Sequence, residues 1–463
     1  MIPFYGREQQ LKILNDWWLE QKAHLVVVYG KKRIGKTALC LKFAEDKPKI
    51  YYLADRLDIK LQLKKLSQQV GKFYKDNYVA NYGLVDWEQL FSYIGEKKKK
   101  FVLIIDEFPY MVEADSAISS VFQKGWDLYL EKSNTFLILC GSSIGIMEQH
   151  TISYKAPLYG RRTGQILLEP FAFSDLRQIF NGRTFEEKLY IYSIVGGVIT
   201  YLKFFIENKN FWNVIEKKML NKEQFLYQEV EFLLKEELRE PRNYFSILQS
   251  MSSGKRKISE IINDTGFDKG TISAYLANLN QLLIIEKEVP VTETDAYKSR
   301  KGLYRIRDNF ISFWFRFIFK YRNYIEEGNQ KDLLTIVKKS IGNLLSFNFE
   351  EIAKQATPKI MREKFNIRLT NIGRWWDKNT EIDIVGFNAE TQDIVFGEAK
   401  WTNKPVGINI YKDLVEKSEK VDWKRESRRE YFIFFSKNGF TNELTEFSQD
   451  KNIILITKDD LKY

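Results

Sequence analysis

Eight residues near the N-terminus have the types and spacing of a phosphate-binding loop. They match the pattern G-x-x-x-x-G-K-[ST] and are Gly30, Lys31, Lys32, Arg33, Ile34, Gly35, Lys36 and Thr37. In such a loop the backbone N–H groups surround phosphate oxygens, the lysine contacts the β- and γ-phosphates, and the final hydroxyl binds Mg²⁺. The pattern predicts binding of ATP with Mg²⁺. The alternative is a chance match in a turn rich in glycine and lysine.

Two carboxylates follow a second apolar run and suit the same chemistry. Residues 101–105 are apolar and lead into Asp106 and Glu107. In nucleoside-triphosphatases an aspartate after such a strand reaches the ligand shell of the metal. We therefore assign Asp106 to Mg²⁺ and Glu107 to polarisation of the attacking water. The alternative is a buried strand whose charged end is merely solvated.

Three further polar residues are candidates for contact with the γ-phosphate. Ser142 follows a third apolar run, residues 135–141, and could sense the phosphate, although serine after a strand is also ordinary turn chemistry. Arg161 and Arg162 stand between glycines, and their guanidinium groups could reach the γ-phosphate from this subunit or from a neighbour. A basic surface turn is the alternative for the two arginines.

A second set of charged residues lies near the C-terminus. Glu398 and Lys400 are two positions apart in an apolar segment, so their side chains project to one side of a strand. Asp383 lies in the preceding apolar segment, residues 381–387, and residues 388–392 would form the hairpin turn. Asp383 and Glu398 suit Mg²⁺ binding, and Lys400 suits activation of a water for phosphodiester attack. A surface hairpin with ordinary charges is the alternative.

A helix upstream of this hairpin could supply one more acid. Residues 346–352 read as the start of a helix and contain two adjacent glutamates. Of these, Glu350 is preferred over Glu351 as the additional catalytic acid.

The elements that must position these residues fall into four regions. Residues 1–165 alternate apolar strands with helical stretches, which is typical of a parallel α/β sheet. Residues 166–235 are mostly helical by pattern and would form a lid against the nucleotide domain. Residues 236–325 have the pattern of a winged helix, and residues 326–463 would form a last unit around the C-terminal charged set.

The third region contains a helix, a glycine-containing turn and a second helix, at residues 258–262 and 269–279. The polar positions of the second helix are Lys269, Thr271, Ser273, Tyr275 and Asn278. Residues 282–289 and 302–306 read as the strands of a wing. The basic residues between and after them are Lys298, Arg300, Lys301, Arg305 and Arg307. Such side chains can reach phosphates and base edges in the major groove, which predicts DNA binding, whereas a motif used only for packing is the alternative.

Composition narrows the partners and excludes several kinds of site. Lys and Arg total 72 against 61 for Asp and Glu, giving a net charge of +11, which favours nucleic acid as a partner. Two cysteines and two histidines exclude a disulfide framework and a Cys-based zinc site, so any nuclease chemistry must rest on carboxylates and lysines. No apolar run reaches the ~18 residues of a membrane span and no signal peptide is recognisable, so we expect a cytoplasmic protein without membrane contact.

The order of the motifs resembles the archaeal-type AAA-related ATPases, which are often grouped with the STAND switch ATPases. The segments that carry the resemblance are residues 4–8, 30–37, 105–107, 140–143, 157–162 and 196–197. The resemblance implies a P-loop NTPase parallel sheet with a helical lid, a winged helix and a C-terminal α/β restriction-endonuclease-like domain. In that last domain the PD-(D/E)xK motif would be Asp383, Glu398 and Lys400. It also implies that Gly6 and Arg7 lie near the base or sugar of the nucleotide.

The chain departs from the family pattern at two positions. Relatives often carry Gly-Gly-x-Pro where this chain has Ile199 in place of the proline. Ile382, before Asp383, stands where the name of the nuclease motif has a proline.

Together these features predict a switch that binds and hydrolyses ATP, binds DNA through a winged helix, and cleaves the DNA at a Mg²⁺-dependent C-terminal site. One alternative is an ATP-dependent regulatory or scaffold protein whose nuclease-like domain is inactive. Another is a translocating motor. A homo-oligomer or a complex with a partner protein is compatible with each of them.

Overall fold

The computed structural model describes residues 3–97, 99–238, 240–295, 299–449 and 451–461. The chain forms two compact units, Met1–Phe171 with Val198–Lys203 and Ala172–Gly197 with Phe204–Tyr463. In the described parts of the chain, no helix combines the length and the apolar character needed to cross a bilayer.

The first unit is built on a five-stranded sheet in which all neighbouring strands are parallel. Its strands are β1 (His24–Tyr29), β2 (Lys49–Leu53), β3 (Phe101–Asp106), β4 (Thr135–Gly141) and β5 (Gly164–Leu167), in the spatial order β2-β3-β4-β1-β5. Strands β1, β3 and β4 are buried along their whole length, as their continuous apolar runs require in a parallel sheet. The parallel α/β sheet expected from the sequence is confirmed.

Helices provide the crossovers that parallel strands need. Those of the first unit are α1 (Glu8–Leu19), α2 (Lys36–Phe43), α3 (Ile59–Tyr74), α4 (Asn77–Tyr82), α5 (Trp87–Gly95), α6 (Phe108–Ala114), α7 (Ile118–Gly125) and α8 (Ile144–Met147). Short π-helical turns continue α7 at Trp126–Leu130 and α8 at Glu148–Ile152. The carboxyl ends of β1, β3 and β4 meet at one edge of the sheet, which brings together the segments that follow them.

The edge strand β5 crosses the boundary expected at residue 165. It pairs in parallel with β1 and extends to Leu167. With four residues, only one of them buried, the strand has too short a pattern to be recognised from the sequence.

The second unit begins with helices. These are α9 (Leu176–Ile179), α10 (Phe185–Val195), α11 (Ile199–Ile206), α12 (Phe211–Val214) and α13 (Phe225–Glu237), and a π-helical turn continues α12 at Ile215–Met219. The first residues of α11 belong to the first unit. The helical character expected after residue 165 is therefore observed once β5 has ended.

A winged-helix arrangement follows. It consists of α14 (Pro241–Ser252), α15 (Ile258–Thr265), α16 (Lys269–Gln281), β6 (Ile285–Glu288) and β7 (Leu303–Ile306), with β6 and β7 antiparallel. Gly266, with φ of 73°, ends α15, and Asp268 caps α16 by accepting from Gly270 N and Thr271 N. The predicted helix–turn–helix with a two-stranded wing is observed, with α15 three residues and α16 two residues longer than expected. The first wing strand is shorter than the expected residues 282–289.

After the wing, the described residues form a run of helices and then a second sheet, with further helices between some of its strands. The elements are α17 (Asn309–Phe313), α18 (Arg322–Glu326), α19 (Gln330–Ser340), α20 (Gly342–Phe365), β8 (Asn371–Trp376), β9 (Glu381–Asn388), β10 (Asp393–Lys400), α21 (Ile408–Ser418), β11 (Arg429–Ser436), α22 (Asn442–Phe447) and β12 (Ile453–Thr457). A π-helical turn continues α17 at Trp314–Phe319. The strand order is β12-β11-β10-β9-β8, with β8, β9 and β10 antiparallel and β10, β11 and β12 parallel.

Strands β9 and β10 form the hairpin expected around the C-terminal charged set. Gly397 pairs with Ile384, which places the ends of the two strands side by side. Helices α20 and α21 both pack against β9 and β10. Helix α20 begins at Gly342, earlier than the start near residue 346 that the sequence suggested, because the helix continues almost directly from α19.

Candidate functional site

The phosphate-binding loop joins β1 to α2 at the carboxyl edge of the first sheet. Gly30 has φ of +145°, and a Cβ there would lie 2.2 Å from the carbonyl oxygen of Leu168. Gly35 has φ of +95°, and Arg33 also adopts a left-handed conformation. Glycine is therefore required at position 30 by close backbone approach and at position 35 by its dihedral angle.

The ammonium group of Lys36 lies inside this loop. Its Nζ donates hydrogen bonds to the carbonyl oxygens of Gly30, at 3.1 Å, and Lys31, at 2.8 Å. Burial lowers the pKa of Lys36, while the carboxylates of Asp106 and Glu107 act in the opposite direction. A buried lysine ammonium in a loop of this pattern is suited to contact the phosphates of a nucleotide.

Asp106 joins the loop to the end of β3. Its Oδ2 accepts hydrogen bonds from Thr37 Oγ1 at 2.7 Å and from the Tyr51 hydroxyl at 2.9 Å. Its Oδ1 accepts from Glu107 N at 3.0 Å. The structure thus brings together Thr37 and Asp106, the two residues expected to bind Mg²⁺ in this unit. Tyr51 was not expected here; it lies on β2, opposite Ile104 of β3, and no local motif signals it.

Glu107 directly follows Asp106 and contacts the predicted phosphate sensor. It adopts a left-handed conformation with φ of 54°. Its Oε2 accepts from Ser142 Oγ at 2.8 Å and from Ser142 N at 3.3 Å. The residues that end β3 and follow β4 are therefore linked side chain to side chain, so a change at one carries to the other.

Arg161 and Arg162 are engaged with other groups of the first unit. Arg161 forms a two-point contact with Asp127, with Nε–Oδ1 at 3.0 Å and NH2–Oδ2 at 2.9 Å. Arg162 NH1 donates to the carbonyl oxygens of Thr151, at 2.9 Å, and Ile152, at 2.8 Å. A contact with the γ-phosphate would require either guanidinium to exchange these acceptors, and it stays a prediction.

Gly6 and Arg7 lie beside the phosphate-binding loop. Arg7 NH2 approaches the carbonyl oxygen of Ile34 at 3.5 Å and donates to that of Glu169 at 2.6 Å. Its guanidinium lies 4.0 Å from the centre of the Phe171 ring. Gly6 has φ of +59° and precedes this arginine. The role of both residues towards the base or sugar remains a prediction.

The segment after the Gly196–Gly197 pair contacts the loop despite the missing proline. Thr200 Oγ1 donates to the carbonyl oxygen of Arg33 at 3.1 Å. Ile199 occupies the position where relatives often have proline, and its Cγ2 lies 3.6 Å from where a Cβ of Gly35 would be. The start of α11 is thus packed on the phosphate-binding loop.

The second helix of the winged helix, α16, presents fewer polar groups than its sequence suggests. The Tyr275 hydroxyl contacts Glu240, at 2.9 Å, and Asn243, at 2.7 Å. Asn278 donates to the Tyr244 hydroxyl at 2.8 Å. Thr271 takes part in the cap with Asp268. Ser273 Oγ donates to the carbonyl oxygen of Lys269 at 2.7 Å. The exposed Lys269 is the better candidate for contact with DNA.

The expected basic cluster of the wing needs a correction at Arg305. Its guanidinium contacts Glu288 at 3.0 Å and Glu351 at 3.0 Å, and it also pairs with Glu286. The Arg305 side chain is only 14% exposed, so it is an internal ion-pairing residue and not a surface DNA contact. Arg300, Lys301 and Arg307 are exposed, whereas Lys298 lies outside the described residues.

The C-terminal set converges at the ends of β9 and β10. Asp383 Oδ2 accepts a hydrogen bond from Ala399 N at 3.1 Å and lies 3.9 Å from Lys400 Nζ. Lys400 Nζ also donates to Glu398 Oε2. The structure thus places Asp383, Glu398 and Lys400 around one point, as the spacing and the hairpin predicted.

The electrostatics of this point are those of crowded carboxylates. Burial raises the pKa of Asp383 to about 8, with repulsion from Glu398 and Glu350 adding to the effect and Lys400 opposing it. Burial alone would lower the pKa of Lys400, but attraction to Glu398 and Asp383 outweighs it and the pKa is raised. Carboxylate oxygens are the donors that Mg²⁺ prefers, so Asp383 and Glu398 are of the chemical type that could hold this ion.

Glu350 and Glu351 on α20 face different neighbours. Glu350 Oε2 pairs with Arg374 NH2 at 2.6 Å, and burial raises the Glu350 pKa while Arg374 opposes the rise. Glu351 pairs with Arg305 and with Lys354, both at about 3 Å. The preference for Glu350 is consistent with its electrostatic interaction with Lys400. Arg374, on β8, was not anticipated.

Lys417 is a further member of the site that the sequence did not reveal. From α21 its Nζ donates to Glu398 Oε1 at 2.9 Å and contacts Asp413 Oδ2 at 2.8 Å. The hydrogen bonds to Glu398 and Asp413 raise the Lys417 pKa to about 12, although burial alone would lower it. Among the described residues, no group of three or more His, Cys, Asp or Glu side chains is arranged to hold a metal ion.

Three family descriptions match successive parts of the chain. Residues 4–205 match an ATPase domain found predominantly in Archaea. Residues 245–287 match the bacterial regulatory protein, arsR family, which corresponds to the helix–turn–helix region. Residues 314–419 match a family described as archaeal and bacterial proteins of unknown function. The matches agree with the order of nucleotide domain, helix–turn–helix and C-terminal domain.

Individual proteins are also similar to the chain. An uncharacterised protein of Methanocaldococcus jannaschii is 36% identical over 421 residues, which cover 90% of this chain and 92% of that protein. An uncharacterised ATP-binding protein of the same organism is 43% identical over 47 residues, 10% of this chain and 80% of that protein. Among solved structures, the Walker-type ATPase of Pyrococcus abyssi matches 68% of this chain and 96% of its own length, with 20% identity and a TM-score of 0.49.

Proposed function

This chain belongs to the family of the Methanocaldococcus jannaschii protein that matches 90% of it, and its N-terminal domain is an ATPase domain of the predominantly archaeal kind. On that premise we propose that it is an ATP-driven switch that binds and cleaves DNA. ATP and Mg²⁺ would bind at the carboxyl edge of the first sheet. The winged helix would bind duplex DNA. The C-terminal site would cleave it with a second Mg²⁺.

The nucleotide part of the proposal is supported by contacts around the phosphate-binding loop. Lys36 is held inside the loop, and Thr37 and Asp106, which would hold the metal, share a hydrogen bond. Glu107, at the end of β3, would orient the attacking water, and Ser142 holds its carboxylate. These residues of the chain would bind the phosphates, hold the metal and orient the water.

One observation carries the nuclease part: Asp383, Glu398 and Lys400 converge on adjacent strands, with Ala399 N bonded to Asp383. The order helix α20, three antiparallel strands, helix α21 and a parallel strand supports a restriction-endonuclease-like fold. When bound, Mg²⁺ would supply charge neutralisation at the phosphodiester and a more acidic water. Asp383 and Glu398 would hold the ion, Glu350 would add a third carboxylate, and Lys400 would position the water.

The proposed domains are a nucleotide domain at residues 1–165, a lid at 166–235, a winged helix at 236–325 and a nuclease-like domain at 326–463. The strand β5, which reaches Leu167, favours placing the first boundary just after it. In this arrangement γ-phosphate would be sensed at the start of α11, where Thr200 contacts the loop. Movement of that helix would be the means by which ATP changes the protein's shape.

A second candidate function is an ATP-dependent DNA-binding regulator with an inactive C-terminal site. It is favoured by the two lysines on Glu398, because Lys400 and Lys417 together engage both of its oxygens. A carboxylate neutralised in this way would serve as a structural ion pair in a protein that never binds metal.

Cleavage assays distinguish the two functions. Plasmid, linear and branched DNA would be incubated with Mg²⁺ or Mn²⁺, with and without ATP, beside Lys36→Ala and Lys400→Ala. We expect wild-type cleavage that Lys400→Ala abolishes and that Lys36→Ala makes independent of ATP, because Lys400 lies at the proposed catalytic carboxylates. ATP hydrolysis without cleavage of any substrate would favour the regulator.

DNA binding through the winged helix predicts a salt dependence with a residue-level signature. Replacing exposed Lys269 by glutamine should lower the slope of log K against log salt by about one, because each phosphate contact releases a counterion. Fluorescence anisotropy on a labelled duplex measures the slope. The exposed Lys339 on α19 is a matched control, and Lys339→Gln should leave the slope unchanged. Equal slopes for wild type and Lys269→Gln would contradict the assigned contact.

A further inference from the structure

Glu398 carries a counter-ion on each of its two oxygens. Its side chain is 2% exposed, so bulk water solvates neither oxygen. Lys400 Nζ donates to Oε2, and Lys417 Nζ donates to Oε1 at 2.9 Å. The carboxylate expected to bind a metal is therefore saturated by ammonium groups.

The two lysines are held differently. Lys400 stands two residues from Glu398 on β10 and also lies 3.9 Å from Asp383, so it is fixed by the hairpin itself. Lys417 reaches the site from α21, one turn after Asp413, whose Oδ2 it contacts at 2.8 Å. The Asp413 side chain is 53% exposed. Lys417 thus has a second acceptor, Asp413, on its own helix and nearer to water. Asp413 can still accept a hydrogen bond from Lys417 when the contact with Glu398 is broken.

A divalent cation and Lys417 compete for Glu398. A metal bound between Asp383 and Glu398 needs an oxygen of each carboxylate, and an ammonium at 2.9 Å from Oε1 would be repelled by it. The flexible four-carbon stem of lysine lets its ammonium move by several ångströms without a change in the backbone. To admit a metal, either Lys400 or Lys417 must leave Glu398. Release of Lys417 is the smaller adjustment, because Lys400 is fixed by the hairpin.

We propose that Lys417 is the displaceable counter-ion of the C-terminal site: a divalent cation takes its place on Glu398, and the released ammonium binds a phosphate of the nucleic acid. The inference deepens the proposed nuclease function and rests on it. Without metal, Lys417 neutralises Glu398 and offers no charge to DNA. With metal, it becomes available, so metal and DNA strengthen each other's binding at this site, and by linkage the effect is reciprocal.

Metal affinity provides the first test. Mn²⁺ binding would be measured by titration calorimetry and electron paramagnetic resonance on the full chain carrying Lys36→Ala, without nucleotide, so that the ATP site contributes little. Lys417→Gln should bind Mn²⁺ about 10-fold more tightly than the parent, because a competing charge has been removed. Lys412→Gln, a change at an exposed lysine of the same helix, should leave the affinity unchanged, and Lys417→Arg should keep it close to that of the parent.

DNA affinity provides the second test and moves in the opposite direction. In the presence of Ca²⁺, Lys417→Gln should bind a short duplex about 3- to 10-fold more weakly, since one phosphate contact is lost. The increase in DNA affinity on adding the metal should shrink as well. A residue with a merely structural role would not tighten metal binding while weakening DNA binding, so the pair of results is specific to displacement.

The outcomes separate this inference from the function on which it rests. Mn²⁺ binding that Asp383→Asn removes but that Lys417→Gln does not strengthen would overturn the displacement of Lys417 and leave the metal site standing. An absence of any Asp383-dependent Mn²⁺ binding would overturn both. Tighter metal binding with unchanged DNA affinity would overturn the contact between the released ammonium and phosphate.

Discussion

Replacing Glu107 with glutamine is expected to lower the turnover number for ATP by about 10²–10⁴-fold, while ATP affinity stays within about threefold of wild type. A loss of this size is expected when a group that orients or deprotonates the attacking water is removed. Glutamine keeps the shape of the side chain and can still accept the hydrogen bond that Ser142 Oγ donates at 2.8 Å. The change therefore removes the charge and leaves the position of the group almost unaltered.

The local geometry explains why the effect should fall on turnover. Glu107 is held in a left-handed backbone conformation directly after Asp106, so its carboxylate is directed by the end of β3 and not by the loop. Lys36 and Thr37, which would bind the phosphates and the metal, belong to the loop and to α2. Binding and water activation are thus assigned to different segments and should separate on mutation.

Single-turnover hydrolysis and fluorescence titration with an ATP analogue would measure the two quantities. Lys36→Ala is the comparison variant and should lose nucleotide binding together with hydrolysis, because the buried ammonium is removed from the loop. Ser142→Ala should lower turnover less than Glu107→Gln, since it frees the carboxylate without removing it. Hydrolysis by Glu107→Gln at the wild-type rate would exclude the assigned role.

The features predicted from the sequence are those in which chemistry and secondary structure lie in one short segment. The phosphate-binding loop follows a continuous apolar strand, and Asp106 ends another, so both could be placed before the structure was known. Glu398 and Lys400 share one strand face, and a short turn returns the chain to Asp383. In each case the alternation or the motif fixes the position of a side chain to within one residue.

The features that could not be predicted depend on contacts between distant elements. Tyr51 reaches Asp106 only because β2 pairs with β3, and Lys417 reaches Glu398 only because α21 packs on β10. Arg305 was expected on the surface of the wing, since charge in an exposed strand usually lies there. Its side chain is instead mostly buried and forms an ion pair with Glu351 of α20, a residue distant in sequence. No spacing rule contains this information.

Arg374 shows the same dependence on distant contacts at the proposed catalytic carboxylates. It is buried between Glu350, at 2.6 Å, and Glu351, at 3.5 Å, and Glu351 in turn pairs with Arg305 of the wing. A chain of alternating charges therefore runs from β7 to the proposed metal site. A buried charge is stabilised by its oppositely charged neighbour, so the position of Glu350 depends on residues of the winged helix. The sequence of neither region predicts this contact.

The second large effect is expected from replacing Asp383 with asparagine, which should abolish metal binding and DNA cleavage and at the same time stabilise the metal-free protein. Asparagine lacks the charge needed to hold a divalent cation with Glu398. It retains an oxygen that can accept the hydrogen bond from Ala399 N, observed at 3.1 Å, so the hairpin should persist. Loss of function with gain of stability is expected where a site concentrates like charges.

The stabilisation should depend on pH in a defined direction. Burial, with repulsion from Glu398 and Glu350, raises the Asp383 pKa from its ordinary value of 3.8 to about 8. Between these values the folded protein binds a proton at Asp383 that the unfolded chain has released, so wild-type stability falls as pH rises through this window. Asparagine does not titrate. The difference in apparent Tm between variant and wild type should therefore be small near pH 5 and grow by several degrees towards pH 8.5.

Thermal unfolding followed by circular dichroism at pH 5, 7 and 8.5, with a chelator, would measure the difference. Asp422→Asn, a change at an exposed aspartate of the same domain, should show no such trend. Adding Mn²⁺ should stabilise wild type and not Asp383→Asn, because only the former can bind the ion in its folded state. A variant less stable than wild type at pH 8.5 would mean that Lys400, 3.9 Å from Asp383, already compensates the buried charge. Asp383 would then belong to a structural ion pair and not to a metal-binding site.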